Sequence, residues 1–438
     1  AVSGLHVGII AMILFWILRI LPAYTLPRKC LKAGIALLGI WLFALLTGGS
    51  ASVIRASIMF SAIIIGRYVE QNGNVYNSLA TAAFFSLIVE PYLIFQVGFQ
   101  LSYLAVIGIV FFQPKIYKLL YFKYKAVDYL WQITSVSIAA QIAVFPISLY
   151  YFHQFPTYFW LSSMIVIPAA LIVLLLVIFL FVSQAFLPIM SEVGGELLEC
   201  LLQLMNRIIF AIERLPFGLV EGVWIEWYDI LLWYALIIAA TLTVLHRKAK
   251  FALASALVFC LISGSYTFKK ATQYFNKSIT IYHSSDGTII DLFDAQTTYA
   301  VHSSKLEKKT LKWVTQQHRS AMGSKSLYTH FLDEEASTTY DNIWIGLPYI
   351  QFYDKRIMLL DHNELQASNE KLELDYMIIH ANPNLDLEMV LSSVKVKQII
   401  IDASNSQKNI EKWIKQCESL EISCYDIKRE GAYDVVLD

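Results

Sequence analysis

The residues of this chain with the most chemical potential are polar groups set into apolar sequence. Arg55 follows Thr47-Gly48-Gly49-Ser50-Ala51-Ser52 and opens a hydrophobic run. A guanidinium there can hold a phosphate, pair with a carboxylate or snorkel to a membrane surface. The glycines and small hydroxyl residues ahead of it, Ser52 included, permit a tight turn or a close helix contact. Glu90 stands before Pro91 and is a candidate partner for Arg55. Gln96, Gln100, Ser102 and Gln141 offer amides and hydroxyls that either line a polar path or bond between helices. Ser3 and His6, in Ser3-Gly4-Leu5-His6, sit at the edge of the first apolar run, where a lone His is more often a hydrogen-bonding group than a catalyst. Polar groups at membrane depth are expensive, so they face a bundle interior or a watery path.

Hydrolytic chemistry has weaker support. No two of the nine histidines are separated by a single residue, and there is no HExxH, so close His pairs at metal-ligand spacing are absent. Asp361-His362 reads as a surface turn. His380-Ala381-Asn382-Pro383-Asn384 and Asp402 each end a strand-like run, a common place for a ligand, but neither brings a second ligand with it. No GxSxG, phosphate-binding loop or dinucleotide-binding glycine pattern occurs. Neither a metal nor a cofactor is expected, and catalysis is not expected of this part of the chain.

The elements that must position these residues fall into two textures. Of 438 residues, 57% are hydrophobic and 16% charged, with a mean hydropathy of +0.54, far from the quarter charged of ordinary soluble domains. Lys and Arg exceed Asp and Glu by seven in residues 1–275, and the excess is reversed in 276–438. Spans of the length a bilayer demands are expected at Leu5–Leu21, Ala33–Thr47, Val53–Ile65, Leu79–Phe95, Gly98–Phe112, Leu130–Tyr150, Leu161–Val182, Leu197–Ile212, Ile230–Leu245 and Phe251–Ser263. Leu197–Ile212, interrupted by Glu199, Asn206 and Arg207, is either a span or an in-plane amphipathic helix. Pro146 and Pro168 within spans produce kinks or broken helices, which bundles tolerate where they line cavities. With ten spans the basic loops around Arg28, Lys115 and Arg247 share one side, the cytoplasm. His6, Arg55, Glu90 and Gln100 then cluster near the outer face, with everything after Lys269 outside.

Beyond Lys270, Ser278–His283, Thr288–Phe293 and Thr298–His302 read as β-rich, and Lys305–His318 as helical. Tyr376–His380 and Gln398–Asp402 read as buried strands, each followed by a helical stretch. The expected organisation is a membrane domain over 1–270 and an extracytoplasmic α/β domain over 276–438. The acidic balance of the latter argues against a general nucleic-acid-binding surface. Five scattered cysteines make no disulfide framework, although Cys417 and Cys424 could pair outside the cytoplasm. The start at Ala1, beside an apolar run, reads as a fragment lacking an upstream part.

Four motifs in order carry a family resemblance: Ser3-Gly4-Leu5-His6-Val7; Thr47-Gly48 with Ser52 and Arg55-Ala56; Gly98-Phe99-Gln100-Leu101-Ser102; and Ala139-Ala140-Gln141 with Pro146. Together they resemble the ComEC competence proteins. The resemblance implies a polytopic protein of the bacterial inner membrane that passes transforming DNA, as a single strand, into the cytoplasm beside the rest of the DNA-uptake machinery. It also implies an OB-like domain upstream and a C-terminal metallo-β-lactamase-like domain, here degenerate because the HxHxDH motif has no counterpart. Alternatives from other classes are a membrane-tethered nuclease acting on incoming DNA and a small-solute transporter. The transporter predicts paired half-repeats, and none is found.

Overall fold

A computed structural model describes residues 4–20, 25–69, 74–186, 188–334, 337–361 and 371–437. Internal contacts divide the chain into two units, Ala1–Ala252 and Leu253–Asp438.

The first unit is helical. Its elements are α1 (Gly4–Ile17), α2 (Leu26–Leu46), α3 (Ala51–Val69), α4 (Val75–Val89), α5 (Val97–Tyr117), α6 (Lys125–Phe152), β1 (Gln154–Pro156), α7 (Phe159–Phe186), α8 (Pro188–Glu213), β2 (Leu219–Glu221) and α9 (Trp227–His246). A tenth helix, α10 (Ala249–Phe275), crosses the division between the units. Each expected span is found as a helix, with boundaries moved for local reasons. α2 starts seven residues ahead of the Ala33 expected because Pro27, at its first turn, has a backbone angle already suited to a helix. It ends in a Schellman motif, in which the Gly48 and Gly49 amides donate to Leu45 O and Ala44 O at positive φ. The expected Leu79–Phe95 span breaks at Glu90, held extended ahead of Pro91, and continues as a 3-10 turn over Pro91–Phe95.

Among the described residues, six helices are long and apolar enough to cross a membrane, and three apolar helices are shorter. α8 is in neither group, in keeping with its polar interruptions. Close helix contacts are set by small residues. A Cβ on Gly108 of α5 would lie 2.5 Å from Ala143 Cβ and 2.7 Å from Ala139 O of α6, so only glycine permits that approach. Polar side chains tie the same pair together. Gln113 Nε2 donates to Ser135 Oγ at 3.4 Å, and the Tyr117 hydroxyl donates to Asp128 at 2.8 Å. Beside Pro146, the Tyr234 hydroxyl of α9 donates to Ala143 O at 3.0 Å. β1 and β2 pair antiparallel, with Pro156 opposite Leu219.

The second unit contains β3 (Lys277–Ile281), β4 (Ile289–Asp294), β5 (Thr297–His302), α11 (Lys308–Ala321), β6 (Ser326–Phe331), β7 (Thr338–Tyr340), β8 (Ile343–Gly346), β9 (Tyr349–Phe352) and β10 (Lys355–Leu360). It continues with β11 (Leu372–Ile379), α12 (Leu387–Ser393), β12 (Val394–Ile401), α13 (Gln407–Ser419), β13 (Ser423–Asp426), α14 (Ile427–Glu430) and β14 (Tyr433–Val436). One sheet has the order β14-β3-β4-β5-β6 and the other β13-β12-β11-β10-β9-β8-β7. Period-two alternation builds the core between them. Ile279, Ile281, Ile290 and Leu292 of the first sheet join Ile345, Phe352, Leu359, Ile378 and Ile400 of the second. The other face of the seven-stranded sheet packs Met377, Ile379, Ile399 and Ile401 against Val390, Ile410 and Trp413 of α12 and α13. The five-stranded sheet turns Asp291 outward, fully buried, to receive α11. Arg319 grips it through Nε at 2.6 Å and Nη2 at 2.7 Å, and the Tyr282 hydroxyl adds a third bond at 2.9 Å.

Candidate functional site

Of the polar residues singled out in the first unit, Arg55 lies where the starts of α1, α3 and α5 come together. Gly4 of α1 rests against Ala56 of α3, whose methyl would stand 3.4 Å from an added Cβ. Arg55, the preceding residue, points toward α5. There, a Cβ on Gly98 would lie 2.8 Å from its Nη2, so the guanidinium lies against bare backbone. The absence of a side chain at Gly98 makes that position available.

Around this contact, polar groups are left without protein partners. Arg55 Nε is buried and makes no hydrogen bond, and the Tyr103 hydroxyl is in the same condition. Tyr103 stands near Arg55 and Ser86, its ring packed on Phe99 with centroids 4.4 Å apart, while the Ser86 hydroxyl is engaged by Ala82 O at 2.8 Å. Buried polar atoms are nearly always satisfied, so two unsatisfied donors side by side mark a place built to meet something else. A guanidinium with an unpartnered Nε near a phenol has the donors to bind an anion, phosphate above all.

The other candidates are arranged differently. Gln100 Nε2 donates to Ile94 O at 2.9 Å, bracing the turn that leads into α5. The Ser102 hydroxyl donates to Gly98 O at 2.7 Å, within its own helix. Glu90 is exposed at the end of α4, and no ion pair joins it to Arg55 among the described residues. The extended conformation imposed by Pro91 accounts for that. His6 and Ser52 are half-buried in the first turns of α1 and α3, and Gln141 is half-buried in α6. Ser3 and His362 lie outside the described residues. Tyr103 follows directly on the Gly98–Ser102 motif, and nothing in the sequence distinguishes it there from core aromatics.

In the second unit, His380 and Asp402 end the neighbouring parallel strands β11 and β12, where Ile379 pairs with Ile401. Asp402 is fully buried and accepts from Thr288 Oγ1 at 2.6 Å, Ser404 Oγ at 2.9 Å and the Ala403 amide at 2.6 Å. Burial pushes its carboxyl group above the usual range, against the pull of those bonds. Ala381 and Asn382 both adopt positive φ. Asn382 Oδ1 accepts from the Ser406 amide at 3.0 Å and Asn409 Nδ2 at 2.9 Å, and Asn405 Nδ2 donates to Ile379 O and Asp402 O. These side chains serve one another. They do not fit a hydrolytic metal centre, and no three His, Cys, Asp or Glu side chains gather at ligand distance among the described residues. Cys417 and Cys424 are free thiols in contact with each other.

Several apolar helices with buried polar residues, followed by a sheet-rich unit, define a polytopic membrane protein with an appended domain. The family model described as Competence protein matches residues 1–248, and that described as ComEC C-terminal domain matches 279–437. The chain belongs to the competence protein family. It is 31% identical over 212 residues to ComE operon protein 3 of Bacillus subtilis (strain 168), a match covering 48% of this chain and 24% of that relative. No solved structure matches.

Proposed function

We propose that this chain forms the membrane channel through which transforming DNA enters the cell as a single strand. It works in the bacterial cytoplasmic membrane, together with the proteins that deliver DNA to it. The observation that carries this reading is the Arg55 guanidinium, lodged against Gly98 beside Tyr103 with its Nε unpartnered. A polyanion crossing low dielectric needs polar walls and some positive charge, without tight binding, because the strand must leave again. His6, Ser52, Gln100, Ser102 and Gln141 extend the polar lining, and Glu90 lies at its mouth.

The β1–β2 pairing supports a ten-crossing topology. β1 follows α6 and β2 follows α8, so α8 must return to the side where α7 began. The basic loops then share the cytoplasmic side, with the second unit outside. Two facing sheets with helices on their outer faces support the reading of that unit as a metallo-β-lactamase-like fold whose metal site has been replaced by a hydrogen-bonded knot.

The test is transformation frequency with Arg55→Ala in the full-length protein, with membrane abundance checked by blot. A severe loss at normal abundance is expected, with partial recovery in Arg55→Lys, which keeps the charge but not the planar fork. Unchanged transformation would reduce Arg55 to a snorkelling residue.

A further inference from the structure

Trp313 is 83% exposed on α11, on the face opposite the one that docks on the sheet through Thr315, His318 and Arg319. Such exposure of the largest apolar side chain is not explained by packing. Lys309 lies one turn before it in the same groove and Lys312 is the exposed residue beside it, while Lys305 and Lys308 are exposed further back around the helix start, with Glu307 the one carboxylate in the stretch. This concentration of positive charge stands on a domain whose acidic residues exceed its basic ones by seven. Beside the helix runs a groove lined by His283, Asp286, Glu307, Lys309, Thr310 and Trp313.

We infer that this face of α11 is a binding surface for single-stranded nucleic acid, with Trp313 as a stacking platform and Lys309 and Lys312 holding the flanking phosphates. Charge complementarity selects a polyanion, and the exposed indole selects one with unpaired bases, because a duplex hides its ring faces. An anionic membrane is the rival occupant. A helix lying in a lipid interface presents a stripe of apolar residues, whereas Trp313 is the only large apolar side chain exposed on α11. Asp286 and Glu307 at the groove edge oppose tight binding, which suits a strand that must move on. The choice of DNA as the strand rests on the uptake reading above; the surface itself rests on α11 alone.

The experiment is binding of a fluorescent oligo-dT of about fifteen nucleotides, near the upper end of common single-strand site sizes, to the full chain in nanodiscs. Trp313→Ala, at an exposed position, leaves the fold intact and is expected to weaken binding by about tenfold, with Trp313→Phe restoring most of it. Lys309→Glu with Lys312→Glu is expected to flatten the dependence of affinity on salt by roughly 1.4 in slope. A duplex of equal length is expected to be insensitive to Trp313→Ala. Unchanged strand binding in both the Trp313→Ala and the double lysine variants would overturn the inference. So would a loss confined to vesicles containing phosphatidylglycerol, which would assign the surface to lipid. If those variants bind normally while Arg55→Ala still abolishes transformation, this surface falls and the channel reading stands. If deleting the gene leaves transformation intact, the channel reading falls whatever the oligonucleotide shows.

Discussion

Arg55 and Arg319 are the same side chain in two regions, and the protein treats them in opposite ways. Arg319 is locked by two bonds to a fully buried Asp291, which the Tyr282 hydroxyl also serves. Arg55 has no carboxylate partner among the described residues, keeps a buried Nε unpartnered and lies against a glycine. The first arrangement spends its hydrogen-bonding capacity inside the fold. The second leaves part of that capacity, at Nε, unused among the described residues. The same contrast separates the Asp402 knot, closed on itself, from the α3–α5 contact. The type of a charged residue tells little; where its donors are directed tells much more.

The contrast can be broken by measurement. Arg319→Ala leaves Asp291 buried and unpaired, and is expected to destabilise the second unit by about 3–5 kcal/mol, read by denaturant unfolding. A change below about 1 kcal/mol would show that Arg319 is no more structural than Arg55. Asp402→Ala strands two hydroxyls and an amide, and a loss of about 2–3 kcal/mol is expected in the same assay. Asp402→Asn keeps the shape and changes the pH dependence instead. The folded-state pKa of Asp402 is raised, so the native unit holds its proton more tightly than the unfolded chain does. Its contribution is therefore full below the ordinary aspartate pKa and is lost as pH rises through the raised value. Melting temperatures across that window should fall less in Asp402→Asn than in the parent.

Smaller effects sharpen the other side. Gly98→Ala places a methyl where the guanidinium lies, and the flexible side chain can move away. Stability should change by less than about 1 kcal/mol while transformation drops. Arg55→Ala should have the smallest effect on unfolding, within about 0.5 kcal/mol, because no protein partner is stranded by its removal. A large destabilisation there would make Arg55 a structural residue like Arg319.

The nine apolar helices among the described residues are legible, because an apolar run is a property of composition, while α8 shows in the sequence as a run with polar interruptions. The helix ends are not, since Pro27 and Pro91 act through backbone angles that hydropathy does not register. Alternating the spans puts the starts of α1, α3 and α5 at one end, and the Gly4–Ala56 and Arg55–Gly98 contacts join those starts. The Arg55–Gly98 contact itself is not legible in the sequence, because residues so far apart meet only once helix faces are fixed. Charge makes Glu90 a candidate partner for Arg55, but no ion pair joins them among the described residues, where Glu90 is held extended ahead of Pro91. In the second unit the apolar strands around His380 and Asp402 were visible. Exposed β6 and the late strand β14, which pairs with β3 from the other end of the unit, lack a local hydrophobic signature. Trp313 was hidden by a chain so rich in aromatics that one more carried no information.

The β1–β2 pairing has a consequence for how the membrane part could be dismantled. Pro156 and Leu219 are directly opposite, so the chain departs on α7 and comes back on α8 to the spot it left. α6 and α9 are meanwhile joined on their own account, through Tyr234 to Ala143 O and Phe145 against Trp233. α7 and α8 thus leave and rejoin the chain at one seam, although α7 also packs along α6 and touches α1, so removing the pair would uncover those faces. The bundle is modular in its threading at this seam. A relative could gain, lose or exchange the α7–α8 hairpin as one cassette without rethreading the helices that hold Arg55.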